Sequence, residues 1–117
     1  MNNKQILIVH PFIKFTRNKN NYFLREAENL VEAIDLECVE SSLLGLEKIS
    51  PKTFINKGNL IIFKKKLQDL GVDIVFFNVN LSPIQQRNLE KELNAKVIDR
   101  TGLILEIFGS RAKSNEG

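Results

Sequence analysis

The chain has 117 residues, 43% of them hydrophobic and 26% charged, with a net charge of +3, which fits one domain around a single core. No apolar run approaches the ~18 residues of a bilayer span. One cysteine, Cys38, excludes an internal disulfide framework and a cysteine-based metal site, and suits a reducing compartment.

The opening MNNKQILIVHPF has a short apolar segment but no small-residue cleavage site, so it predicts a first strand, Gln5 to His10, rather than a signal peptide. A cytoplasmic location is expected. Pro11 to Asn21, rich in Asn and Lys, predicts a mobile loop. Phe23, Ala27, Leu30, Val31 and Ile34 then form an apolar stripe at helical spacing, with Glu26, Glu28 and Glu32 on the opposing side. A second strand is expected from Glu37 to Ser41, and a second mobile loop from Gly45 to Lys57.

Leu60, Phe63, Leu67 and Leu70 mark a second helix, which Gly71 is suited to stop. Asp73 to Val79 is nearly continuous in apolar character, as is ILIVH, the pattern of strands covered on both faces of a parallel sheet. Ser82-Pro83-Ile84-Gln85 opens a third helix: Ser82 caps, Pro83 fits the first helical position, and Gln85 reaches back. Lys96 to Ile98 is the last strand. The last helix begins near Asp99 or Thr101 and runs to about Arg111. The fold class expected is α/β, with alternating βαβ units and a small, mostly parallel four-stranded sheet flanked by helices.

The fourth helix is unusual. Leu103, Ile104, Leu105, Ile107 and Phe108 cover more than the usual apolar arc of ~100°. Such a helix is either central or packs on something this chain does not contain.

Charge is arranged in blocks. Lys4, Lys14, Arg17, Lys19 and Arg25 precede the first acid, and an acidic stretch runs from Glu26 to Glu40. Lys48, Lys52, Lys57, Lys64, Lys65 and Lys66 then follow without an intervening acid. Two basic segments around an acidic helix favour a polyanionic partner, although solubility alone accounts for the same pattern.

Ligands of open parallel sheets bind beyond the carboxyl ends of the strands. Those ends carry His10, Asn78, Asn80, Asp99 and Arg100, which are candidates for a nucleotide site or, equally, turn formers and caps. Arg87 follows one turn into the third helix beside Gln85, Gln86 and Asn88, side chains suited to a phosphate, a base edge or backbone. Arg100 and Arg111 lie about three helical turns apart and point in similar directions, with ion pairs as the competing role. There is no G-x-x-x-x-G-K-[ST] and no G-x-G-x-x-G in the chain, so it has no means of hydrolysing a nucleotide in the P-loop manner. His10 and Cys38 make no nucleophile–base pair, and no metal site is expected.

SPIQQRNLEKELNAKVIDRTGLILEIFGSRAKSNEG resembles the amino-terminal domain of the HflX family of ribosome-associated GTPases. That family carries S-P-x-Q-Q-R-N-L-E, V-x-D-R-T-G-L-I-L-x-I-F and R-A-x-(S/T)-x-E-G in the same order and spacing. YFLREAENLVEAIDLE and DIVFFNVNLSP are similar to its first helix and to the strand before the SP turn. The resemblance implies an α/β amino-terminal domain over residues 1–113, with residues 114–117 starting a truncated helical segment.

It also implies a helical hairpin and a GTP-binding domain beyond this chain, with GTP and Mg bound there and no cofactor in the chain itself. The chain ends at Asn115-Glu116-Gly117, where the family's hairpin begins, so the ending reads as a truncation.

The implied partners are the large ribosomal subunit and ribosomal RNA, touched by Lys57, Lys64, Lys65, Arg87, Arg100 and Arg111. Adenine-nucleotide binding at His10, Asn78, Asn80 and Asp99, or a purely structural role, are the alternatives. One departure stands out: the family's F-I-G-x-G-K turn is here Phe54-Ile55-Asn56-Lys57-Gly58-Asn59, which puts a backbone–phosphate contact there in doubt.

Overall fold

The structure, a computed structural model, describes residues 4–15 and 19–116, with side chains through Gly109. Four strands and four helices alternate: β1 (Lys4–Ile13), α1 (Asn20–Glu32), β2 (Leu36–Leu46), α2 (Lys57–Leu70), β3 (Ile74–Phe77), α3 (Pro83–Leu93), β4 (Lys96–Ile98) and α4 (Arg100–Glu116). The strands form one parallel sheet in the order β2-β1-β3-β4. The α/β class and the alternation expected from the sequence hold.

Burial on both faces explains why the inner strands lack alternation. On β1, Leu7 and Val9 face one layer and Ile6 and Ile8 the other, all fully buried. Leu7 and Val9 meet Phe63 and Leu67 of α2, Leu89 and Leu93 of α3, and Val75 and Phe77 of β3. Ile6 and Ile8 meet Ala27 and Val31 of α1, Leu103 of α4, and Phe76. Polar residues would be excluded from either side of such a strand.

Reversal of direction in the sheet follows from this layering. From β1 the chain steps outward to β2 through α1, then passes back over β1 to β3 through α2 on the opposite face. Right-handed crossovers require that change of face. The carboxyl ends of β1 and β3 therefore form the topological switch point of the sheet.

Helix boundaries are set by local chemistry. Gly71 ends α2 with φ 67, and Val72 N–H donates to the Leu67 carbonyl at 3.0 Å, a left-handed cap that costs glycine nothing. Ser82 accepts from Gln85 N–H, while Gln85 returns the bond to Ser82 N–H, completing the expected capping box. Asn94 closes α3 in the left-handed region.

Two expected loops are shorter than the sequence suggests. Pro11, Phe12 and Ile13 continue β1, and Ser42 to Leu46 continue β2, because the two strands stay in register from Leu7↔Glu40 to Ile13↔Leu46. The remainder of the second loop is pinned rather than mobile. Ser50 and Phe54 exchange backbone bonds of 3.0 and 2.9 Å, and Ile55 is fully buried.

On α4, Leu103 is buried and Ile107 packs beside it, whereas Ile104, Leu105 and Phe108 are exposed. One stripe seats the helix and the remaining apolar arc faces outward, so the helix is not central.

Candidate functional site

At the switch point the side chains turn to one another. His10 is 6% exposed and Asn78 4%. Asn78 Nδ2 donates to the Phe23 carbonyl at 3.1 Å and to His10 Nδ1 at 3.0 Å. Because Nδ1 accepts, the imidazole proton sits on Nε2, which donates to Asn20 Oδ1 at 3.0 Å. The ring also lies against Phe12 and Phe23. Burial pushes the His10 pKa below its usual value; the Asn20 bond opposes this and the Arg100 charge adds to it. The cluster thus holds a neutral histidine and ties β1, β3 and α1 together.

Asp99 is 7% exposed and also looks inward. Its Oδ1 accepts from Gly102 N–H at 2.8 Å, capping α4, and its Oδ2 accepts from Leu81 N–H at 3.1 Å. The glycine of D-R-T-G follows from this cap. A Cβ on Gly102 would stand 3.2 Å from Asp99 Oδ1. Asn80 is exposed and pairs with Thr101 Oγ1 at 3.4 Å.

The amides of S-P-I-Q-Q-R-N are spent on this chain's own backbone. Gln85 Nε2 donates to the Ser50 carbonyl at 2.9 Å, Gln86 Nε2 to the Val97 carbonyl at 3.0 Å, and Asn88 Nδ2 to the Lys52 carbonyl at 3.0 Å. Gln85 and Asn88 fasten the β2–α2 loop onto α3, and Gln86 fastens α3 to β4. Arg87, between them, is exposed and has no hydrogen bond or ion pair among the described residues.

Lys48, Lys52 and Lys57 are exposed along the same loop and at the start of α2. Asn56, where the resemblance led one to expect glycine, has φ −77 and caps α2 by accepting from Asn59 N–H at 2.8 Å. No glycine is needed at that φ.

The other basic residues divide by use. Lys64 is exposed on α2; Lys65 is exposed but pairs with Asp69 at 3.2 Å. Lys66 binds Glu40 of β2 at 2.6 Å and lies over the Phe63 ring. Arg100 is exposed at the start of α4, near enough to His10 for its charge to act there. The side chain of Arg111 lies outside the described residues.

The structure joins Asn88, next to Arg87 in sequence, to the Lys52 carbonyl, and His10 to Asn78. It does not bring the two groups into one pocket. Asn20 and Phe23 complete the histidine cluster with no sequence signal beyond their place at the start of α1. A cleft of about 330 Å³ lies at the opposite, amino end of the strands, between Ile34, Leu36, Ile74, Ile98 and Leu105, and among the described residues no expected site residue lines it. Among the described residues no acid, histidine and cysteine cluster fit for a metal occurs, and no helix is long and apolar enough to cross a membrane.

Comparison with known proteins gives this geometry a family. The profile of the GTP-binding GTPase N-terminal family matches residues 21–109. The chain is 44% identical over 104 residues to GTPase HflX of Magnetococcus marinus, covering 89% of this chain and 24% of that protein. It is 38% identical over 114 residues to GTPase HflX of Escherichia coli, covering 97% and 26%. The chain thus spans about a quarter of the length of these relatives.

Its fold is shared by a GTP-binding protein of Sulfolobus solfataricus solved in complex with GDP, with a TM-score of 0.66, 24% identity, and coverage of 90% of this chain and 30% of that one. The capped S-P-I-Q-Q-R-N and D-R-T-G turns, the four-stranded parallel sheet and these matches place the chain in the GTP-binding GTPase N-terminal family, as an HflX GTPase N-terminal domain.

Proposed function

We propose that this domain is the RNA-contacting part of an HflX-type GTPase and docks on the large ribosomal subunit. GTP hydrolysis, in this reading, belongs to a GTP-binding domain of the parent protein, since this sequence contains no phosphate loop. The observation that carries the proposal is Arg87, exposed and unpaired among the described residues beside the anchored loop of Lys48, Lys52 and Lys57. Exposed cations on a fixed frame suit phosphates, which position a complex without reading sequence. Arg87 adds a fork that binds phosphate through two donors. Lys64, Lys65, Arg100 and Arg111 extend the same role along α2 and α4.

A salt titration of binding to purified large subunits tests it. Affinity is expected to fall linearly on logarithmic axes, and Lys52→Ala with Arg87→Ala flattens the slope by about 0.7–0.9 for each phosphate that is no longer neutralised. Binding that is indifferent to salt, or no saturable binding at low salt, sinks the proposal. Titration with ATP separates the alternative at the strand ends: binding abolished by changes at Asn80 or Asp99 favours a nucleotide module instead.

A further inference from the structure

The first basic block of the sequence has no part in the contact around Arg87. Lys19 and Arg25 lie at the start of α1, which packs on the face of the sheet opposite α2 and α3. Both are exposed, and neither has an ion pair or a side-chain hydrogen bond among the described residues. Helix chemistry does not explain them. α1 begins with no side-chain cap and no acid in its first turn, and a cation beside the positive end of a helix is unfavourable.

Tyr22 stands between the two. Lys19, Tyr22 and Arg25 follow one another at intervals of three residues and so share one side of the helix. Glu26, also exposed, bounds the row beyond Arg25. The Tyr22 ring is 60% exposed yet braced from behind. It meets Phe23 at a steep angle with centroids 5.7 Å apart, and Phe23 packs on the buried His10 ring at 6.0 Å.

Aromatic side chains stack unpaired bases, and cations beside them track the strand's backbone. We propose that the start of α1 is a second RNA contact, at which one base of a single-stranded stretch stacks on Tyr22 and the phosphates on its two sides meet Lys19 and Arg25. A cation on each side of the ring suits a strand that continues both ways, not a free nucleotide, whose phosphates leave in one direction. A protein neighbour suits the row less well, since it would bury two unpaired cations. That the strand is RNA rests on the function proposed above; the stacking does not.

Tyr22 is the one tyrosine and the chain has no tryptophan, so its ultraviolet fluorescence reports on this ring alone. The test is a fluorescence titration of the chain with single-stranded oligouridine, with an RNA duplex of equal length and with ATP, corrected for absorbance with free tyrosine. Saturable quenching is expected from the single strand and little from the other two. Tyr22→Ala, followed by anisotropy of labelled oligouridine, should weaken binding by about tenfold or more through the lost base stack, while Tyr22→Phe retains it. An unchanged circular dichroism melt shows that Tyr22→Ala still folds. Lys52→Ala with Arg87→Ala should leave the quenching intact, which separates this contact from the one around Arg87. Absence of quenching by the single strand overturns the proposal, as does equal quenching by the duplex or by ATP. So does a folded Tyr22→Ala that binds oligouridine as tightly as the parent.

Discussion

The switch-point cluster and the outer face of α3 are both polar, yet they are opposite in construction. Around His10 and Asn78 the polar side chains bond to each other and to backbone, leaving a closed joint between β1, β3 and α1. Along α3, the amides of Gln85, Gln86 and Asn88 bond inward while Arg87 is left outside. The difference teaches that a dense polar motif marks an assembled joint first. What such a motif offers a partner is the side chain that its own hydrogen bonds omit.

Breaking the closed joint should have the largest effect. Asn78→Leu removes the donor to His10 Nδ1 and to the Phe23 carbonyl, leaving acceptors in a site that is nearly dry. A loss of about 2–4 kcal/mol is expected, because each orphaned buried group costs ~1–3 kcal/mol. Urea denaturation measures it; a loss under about half a kcal/mol would mean that water already serves these groups.

On α3 the next effect is expected at Gln85. Gln85→Ala deletes the reciprocal arm of the capping box and the bond to Ser50, for about 1–3 kcal/mol. Ser82→Ala removes only the cap, for ~0.5–2 kcal/mol. Hydrogen exchange should accelerate in residues 47–56 for the glutamine variant but much less for the serine variant.

The joint also predicts a pH dependence. His10 has a folded pKa below the usual histidine value of 6.5, so between the two values the unfolded chain binds more protons. Stability contributed by the neutral ring is therefore complete above about 6.5 and is lost as pH falls through the folded pKa. Protonation would also place a donor on Nδ1, facing the Asn78 donor. His10→Gln should flatten this limb of the stability–pH curve, and an unchanged limb would assign it to carboxylates.

The smallest change in stability is expected at Arg87. Arg87→Ala should lie within about 0.5 kcal/mol of the parent, as exposed substitutions do, while ribosome binding falls. If it unfolds the domain instead, the contrast between the two regions is wrong.

Much of this was legible in the sequence. The caps at Ser82 and Gly71 are local, and local chemistry survives folding, so both turned out as expected. The continuous apolar strands announced a sheet covered on both faces. The far end of β2, Ser42 to Leu46, was hidden because an edge strand needs little apolar surface: Ser42 and Gly45 resemble loop residues, and the bulge shifts the alternation by one. The burial of Phe54 and Ile55 depends on α2 and α3 and has no local sign. Site residues were harder still. His10 and Asn78 were named together as candidates for one site at the strand ends, but their mutual bond joins residues 68 apart in sequence and has no local sign.

Gln85 has a consequence beyond stability. One side chain both starts α3 and holds the Ser50 carbonyl, so the helix and the lysine loop are a single stiff unit before any partner arrives. An unanchored loop would lose ~1–2 kcal/mol of backbone freedom for each residue ordered on docking. Here that loss has already occurred during folding, so the proposed RNA contact would form on a preorganised surface. Gln85→Ala should then slow the encounter with a polyanion and raise its heat-capacity change, even under conditions where the domain remains fully folded.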